Sequence, residues 1–234
     1  MSDVNWIMLH EGLHRFVDES RLYHPMLKPK EGESRVGVRL TDTGEASTIV
    51  LGEEITVVRG LDETHVVLTM ESTVFRRLRA GEADFGALIG RSRASDVRPI
   101  NLEFPDPSKA LEAWMMAKPL MNFFFSPGLV KSKTLSPEYA GEAHGAHPIP
   151  LVYWDGLRSS WYHVPQGTVL NEAGEADPYP QLIVVLEGGG RLVLDEETVE
   201  VEEGKAYYVP PDSVHMVEAE TDITLIWIAW DTPP

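Results

Sequence analysis

Gln181-Leu-Ile-Val-Val-Leu-Glu-Gly188, followed by Gly204, Pro210 and His215, decides how the second half of the chain is read. The first stretch is a short apolar run closed by glycine, the pattern of a strand entering a turn. Runs of the same kind flank it: Arg191 to Leu194, Thr198 to Val201, Tyr207 to Val209 and Thr224 to Trp230. Gly, Asp and Pro separate them, and this regular spacing predicts an all-β sandwich or barrel from Leu151 onward. Gly188, Gly189 and Gly190 stand between two strands with no helix after them, so a hairpin turn is expected there rather than a phosphate loop.

Upstream the pattern is mixed. Trp6, Leu9, Leu13 and Phe16 recur at helical spacing and predict an amphipathic helix over Val4 to Ser20. Four strand-like runs follow, Arg35 to Leu40, Ser47 to Leu51, Ile55 to Arg59 and His65 to Met70, and their tight turns predict an antiparallel meander with one dry face. Ser72 suits the N-cap of a helix that ends at Gly81. A short helix from Asp84 to about Arg91, a strand from Ile100 to Phe104 and an apolar helix from Ser108 to Leu120 come next. Pro119 should end or kink the last of these. Between 129 and 149 apolar periodicity is lost, so the expected division is a domain over 1–128, a linker over 129–149 and a domain over 150–234.

Composition narrows the function. The 234 residues include no cysteine, which excludes disulfides, thiolate zinc sites and a cysteine nucleophile. Net charge is −17; residues to Gly128 contribute 15 basic and 19 acidic groups, those from Leu129 contribute 5 and 18. The acidic C-terminal part would repel phosphate backbones, so no nucleic-acid partner is expected. No apolar stretch approaches the length of a membrane span and no secretory signal is visible, so the expected location is cytoplasmic.

The second half resembles the cupin superfamily. Gln181 stands where the first cupin motif has its glutamate, seven positions before Gly188, and Glu175 and Asp177 stand where it has two histidines. Gly204, Pro210 and His215 match the second motif, with Asp212 in place of a glycine and Ala219 in place of an asparagine. The resemblance spans about Leu151 to Trp230 and implies a double-stranded β-helix, or jelly-roll, barrel. It implies that Glu175, Asp177, Gln181 and His215 are the positions for a divalent metal. A set supplying mostly oxygen suits manganese or a hard cation better than softer metals. The mouth of such a barrel would be a pocket, with Trp161, Tyr162, His163, Tyr207, Trp227 and Trp230 on strands able to line it, about half of them facing away.

Residues from about Ser34 to Phe104 are similar to the sterol carrier protein type 2 family. The stretch carrying the likeness is Glu71-Ser-Thr-Val-Phe-Arg-Arg-Leu-Arg-Ala-Gly-Glu-Ala-Asp-Phe-Gly-Ala-Leu-Ile-Gly90. The likeness implies an α+β sterol-carrier-like domain with a lipophilic tunnel. Trp114, Met115 and Phe124, within the apolar segment from Leu111 to Phe125, are the candidate wall.

Two further groups stand out. His10-Glu11-Gly12-Leu13-His14 fits a zinc-hydrolase pattern, but Gly12 weakens the helix and no strand precedes it, so a packing helix is expected. His144 and His147 lie in the expected linker and read as loop residues. The expected function is non-catalytic binding, as a carrier or sensor, of a small lipophilic or organic molecule by a homodimer. The alternative is a metal-dependent cupin enzyme of dioxygenase or isomerase type.

Overall fold

The computed structural model describes residues 9–29, 32–92 and 96–231. The chain packs as two compact units, one of residues 1–85 and 97–133 and the other of 86–96 and 134–234. Trp6 of the expected first helix lies outside the described residues.

The first unit begins with α1 (Leu9–Glu19) and a single turn, α2 (His24–Leu27). Leu9, Leu13, Phe16 and Val17 form the buried stripe of α1, at the spacing the sequence shows. Strands β1 (Ser34–Leu40), β2 (Ala46–Leu51), β3 (Ile55–Arg59) and β4 (Val66–Met70) follow. Only the first three form a meander. β4 does not pair with β3; it crosses to the far side of β1 and runs parallel to it. All five residues of β4 are buried, so it is a continuous apolar run suited to a central strand, not an alternating one with a wet face.

Helix α3 (Ser72–Ala80) comes next. Ser72 is its first residue rather than its cap. The Asp42 carboxylate, from the turn between β1 and β2, accepts from the Ser72 backbone N–H at 2.9 Å and from its hydroxyl at 2.6 Å. The helix ends at Gly81, in the left-handed conformation at φ 72°. α4 (Phe85–Ile89) carries the chain into the second unit, and β5 (Asn101–Glu103) pairs with β4. α5 (Ala110–Phe123) runs through Pro119 instead of stopping there. Proline removes the donor to the Met115 carbonyl, but Met115 lies on the exposed side where water can serve, and Leu120 and Met121 beyond it are buried. The core closes around Phe16, whose ring meets Phe124 at 5.8 Å and Phe125 at 5.5 Å.

The second unit holds β6 (His147–Trp154), β7 (Leu157–Val164), β8 (Val169–Leu170), β9 (Gln181–Glu187), β10 (Gly190–Leu194), β11 (Glu197–Val201), β12 (Ala206–Val209), β13 (His215–Ala219) and β14 (Ile223–Trp230). They form two sheets, β11-β10-β13-β8 and β12-β9-β14-β7-β6. The fold is therefore two facing sheets and not a closed barrel. Between them lies one apolar core that includes Val164, Val185, Ile223 and Leu225 from one sheet and Leu192, Val201 and Val217 from the other. Residues 86–96 join this unit through close contact: a Cβ on Gly141 would fall 2.4 Å from the Ala87 carbonyl oxygen.

The triple glycine is not a hairpin. β9 and β10 belong to different sheets, so Gly188 to Gly190 carry the chain across the sandwich. Gly188 has φ +84° and would place a Cβ 2.0 Å from the Asp222 carbonyl oxygen; a Cβ on Gly190 would stand 2.0 Å from that of Glu218. Neither site admits a side chain without moving backbone. Gly190→Ala is expected to lose about 1–3 kcal/mol of stability, the usual size of an overpacking penalty. Denaturant unfolding followed by tryptophan fluorescence measures it.

Candidate functional site

A cavity of about 200 Å³ opens inside the second unit. At roughly 30 Å³ per water it has the room of about seven waters, which suits a small molecule. Its walls follow from strand alternation. Arg158 and Tyr162 on β7, Gln181 and Ile183 on β9, His215 and Val217 on β13 and Trp227 on β14 face inward, and Tyr153 on β6 joins them. Asn171, Glu175 and Asp177 come from the loop between β8 and β9, and His144 from the turn before β6.

Arg158 is the central charge. Its Nη2 donates to both Asp177 oxygens, at 3.1 and 2.9 Å. Its guanidinium lies over the Tyr179 ring at 4.8 Å and the Trp227 ring at 5.6 Å. The Tyr179 backbone N–H also donates to Asp177 Oδ1, at 3.2 Å. Trp227 Nε1–H donates to Gln181 Oε1 at 2.6 Å, so the indole and the buried amide fix each other.

Asn171 organises the opposite wall. Its side-chain amide donates to the carbonyls of Glu175 at 2.9 Å and His215 at 2.8 Å, and its Oδ1 accepts from the Glu175 N–H at 3.3 Å. His215 Nδ1 lies 3.2 Å from the Ser213 carbonyl. A carbonyl only accepts, so this contact assigns the proton to Nδ1 and leaves Nε2 of the neutral ring with its lone pair. His144 Nδ1 lies 3.7 Å from Glu175 Oε2, and the His144 N–H donates to Ser92 Oγ at 2.7 Å. Burial pushes the Tyr153 hydroxyl pKa up; burial, and then Tyr153 itself, push that of Tyr162 up as well. Both phenols therefore stay protonated, as hydrogen-bond donors, at every physiological pH.

The structure brings together six of the sequence candidates: Tyr162, Glu175, Asp177, Gln181, His215 and Trp227 all line the cavity. Trp161 and His163 do not. They occupy the other face of β7, where Trp161 is buried and stacks on His163 at 6.4 Å. Tyr207 faces inward but packs on the apolar core, its hydroxyl donating to the Glu200 carbonyl at 2.9 Å. Trp114, Met115 and Phe124 belong to the first unit and none lines this cavity; Phe124 is fully buried against Phe16 and Phe125. Sequence reading passed over Arg158, Asn171 and Tyr153, and took His144 for a loop residue. Arg158 was signalled by its place four residues before Tyr162, on the same face of one strand. Asn171 carried no such signal, since its role depends on carbonyls 4 and 44 residues away.

The four positions at which the resemblance would place a metal do not fit one. Both Asp177 oxygens are held by Arg158, and Gln181 Oε1 is held by Trp227. A cation there would also face the Arg158 guanidinium. Among the described residues no group of three or more His, Asp or Glu side chains is placed to share an ion.

The family model described as the cupin domain matches residues 160–231, and the fold of this stretch is that of a cupin domain. Solved structures similar to the chain include a conserved protein of unknown function from Streptococcus pyogenes, at 20% identity and TM-score 0.37, covering 45% of this chain and 90% of that one. A cupin 2 conserved barrel domain protein from Salinispora arenicola has 20% identity and TM-score 0.39, covering 44% and 90%. An RmlC-like cupin from Shewanella frigidimarina has 21% identity and TM-score 0.34, covering 38% and 78%. No curated protein matches the chain. No helix among the described residues is long and apolar enough to cross a membrane.

The buried phenols define a pH dependence. A pKa raised in the folded state stabilises the protein below the unfolded value of 10.0, and that contribution is lost as pH rises beyond it. In an ultraviolet titration, two of the seven tyrosines are expected to ionise only when the second unit unfolds in alkali. Replacing Tyr153 and Tyr162 with phenylalanine should remove that late phase.

Proposed function

We propose that the second unit is a non-catalytic binding domain for a small, hydroxyl-bearing organic molecule. The observation that carries this reading is the arrangement around Arg158. The Asp177 and Gln181 oxygens that a metal would need are tied to Arg158 and Trp227, while the cavity still offers donors and acceptors of both kinds. Among the described residues, Nε and Nη1 of Arg158 make no hydrogen bond, and Nε2 of His215 keeps its lone pair. Two protonated phenols, the Glu175 carboxylate and the Trp227 ring complete the set. Since Asp177 already neutralises Arg158, the cavity favours an uncharged polar ligand over an anion.

A carrier role for the first unit is supported by the likeness of residues 34–104 to sterol carriers and by α5, which leaves Leu111 and Met115 exposed. Pairing of two copies, which would cover sheet edges, belongs to the same reading.

The test is calorimetric titration of the whole protein with a panel of monosaccharides and polyols, beside native mass spectrometry of what copurifies. A member of the panel is expected to bind, and Arg158→Met to weaken it at least about tenfold, as for a lost hydrogen bond to a charged group. Trp227→Leu should weaken it too while leaving the Arg158–Asp177 pair intact. Unchanged affinity in both variants overturns the reading, and so does a stoichiometric transition metal that is lost in His215→Ala.

A further inference from the structure

The His-Glu-x-x-His stretch of α1 plays no part in the cavity, yet its two histidines are placed as a chelate. His10 and His14 are four residues apart, so their side chains stand on one face a turn apart. Their Nε2 atoms converge to 3.3 Å. Two imidazole nitrogens bound to one zinc-type ion at about 2.0–2.1 Å with a tetrahedral angle lie about 3.3–3.4 Å apart, whereas a square-planar angle would bring them to about 2.9 Å. The observed separation, now spanned by a hydrogen bond between the rings, matches the tetrahedral spacing.

The second nitrogen of His10 supports this. His10 Nδ1 lies 3.3 Å from the hydroxyl of Ser47, a buried residue on β2. With the Nδ1 proton directed to Ser47, the lone pair of Nε2 is left pointing at His14, as an outer hydrogen bond does for a ligating histidine. As the two rings stand, one Nε2 proton bridges them; a metal ion takes the place of that proton and His14, which is exposed, carries its own on Nδ1.

We propose that His10 and His14 form a two-histidine chelating site for a zinc-type divalent transition metal on α1, at its margin with β2. The site is open. Among the described residues no third His, Asp or Glu is placed to join it, and Glu11, one residue on from His10, sits about 100° round the helix. The remaining two tetrahedral positions are left for water or for a donor atom of a bound molecule. The site therefore lacks the third ligand and the placed base of a zinc hydrolase, and its first effect is to tie two turns of α1 together where the helix packs against β2 and β3.

Equilibrium dialysis of the whole protein against zinc chloride tests the site. One equivalent of zinc is expected on the wild type. His10→Ala and His14→Ala should each weaken it by at least about tenfold, no less than the loss of an outer-shell partner costs a metal site. His147→Ala should retain it. His14 is exposed and His10 half-buried, and circular dichroism of the variants checks that they fold. Cobalt in place of zinc should give the intense visible absorption of a tetrahedral ion, and zinc should raise the melting temperature of the wild type but not of His14→Ala. A wild type without bound zinc, zinc retained in both α1 variants, or the weak bands of octahedral cobalt would each overturn the proposal.

Discussion

The ion pair between Arg158 and Asp177 is the interaction on which the second unit's interior depends. It places a cation against the cavity wall inside the sandwich, and it satisfies that cation with both oxygens of one carboxylate. Removing either partner would leave a half-buried charge alone, which costs more than the pair returns. With the pair in place, Trp227 and Tyr179 have a flat cation to pack against, Gln181 has the indole N–H, and the loop from Asn171 to Pro180 is pinned to β7.

That arrangement gives the cupin-like stretch of residues 160–231 an interior organised by hydrogen bonds among its own side chains. At two of the motif positions, Asp177 and Gln181, the side-chain oxygens are held by Arg158 and Trp227. The change is chemical rather than architectural. Strand spacing and the inward direction of each residue follow from a backbone that the match to residues 160–231 also describes.

How much of this could be read from the residues alone divides along a clear line. Motif spacing made Gln181 and His215 legible as inward residues, and period-two alternation foretold that some of the aromatic candidates would turn away, as Trp161 and His163 do. Helical spacing identified the buried stripe of α1. Pairing partners were not legible. β4 beside β1, and β9 and β10 in separate sheets, result from which surfaces need covering once the whole chain has collapsed, and no local window carries that information. The same applies to Asn171, whose partners are two distant carbonyls, and to Asp42, which caps a helix beginning thirty residues later.

The segment of residues 86–96 bears on how the chain can be divided. It precedes β5 and α5 of the first unit in sequence, yet it packs with the second unit, where Ala87 meets Gly141 and Ser92 receives the His144 N–H. A fragment started anywhere after α5 would keep all nine strands of the sandwich but lose the brace behind one wall of its chamber. The two units are thus interleaved along the polypeptide, and on a ribosome neither could be completed before the other had begun.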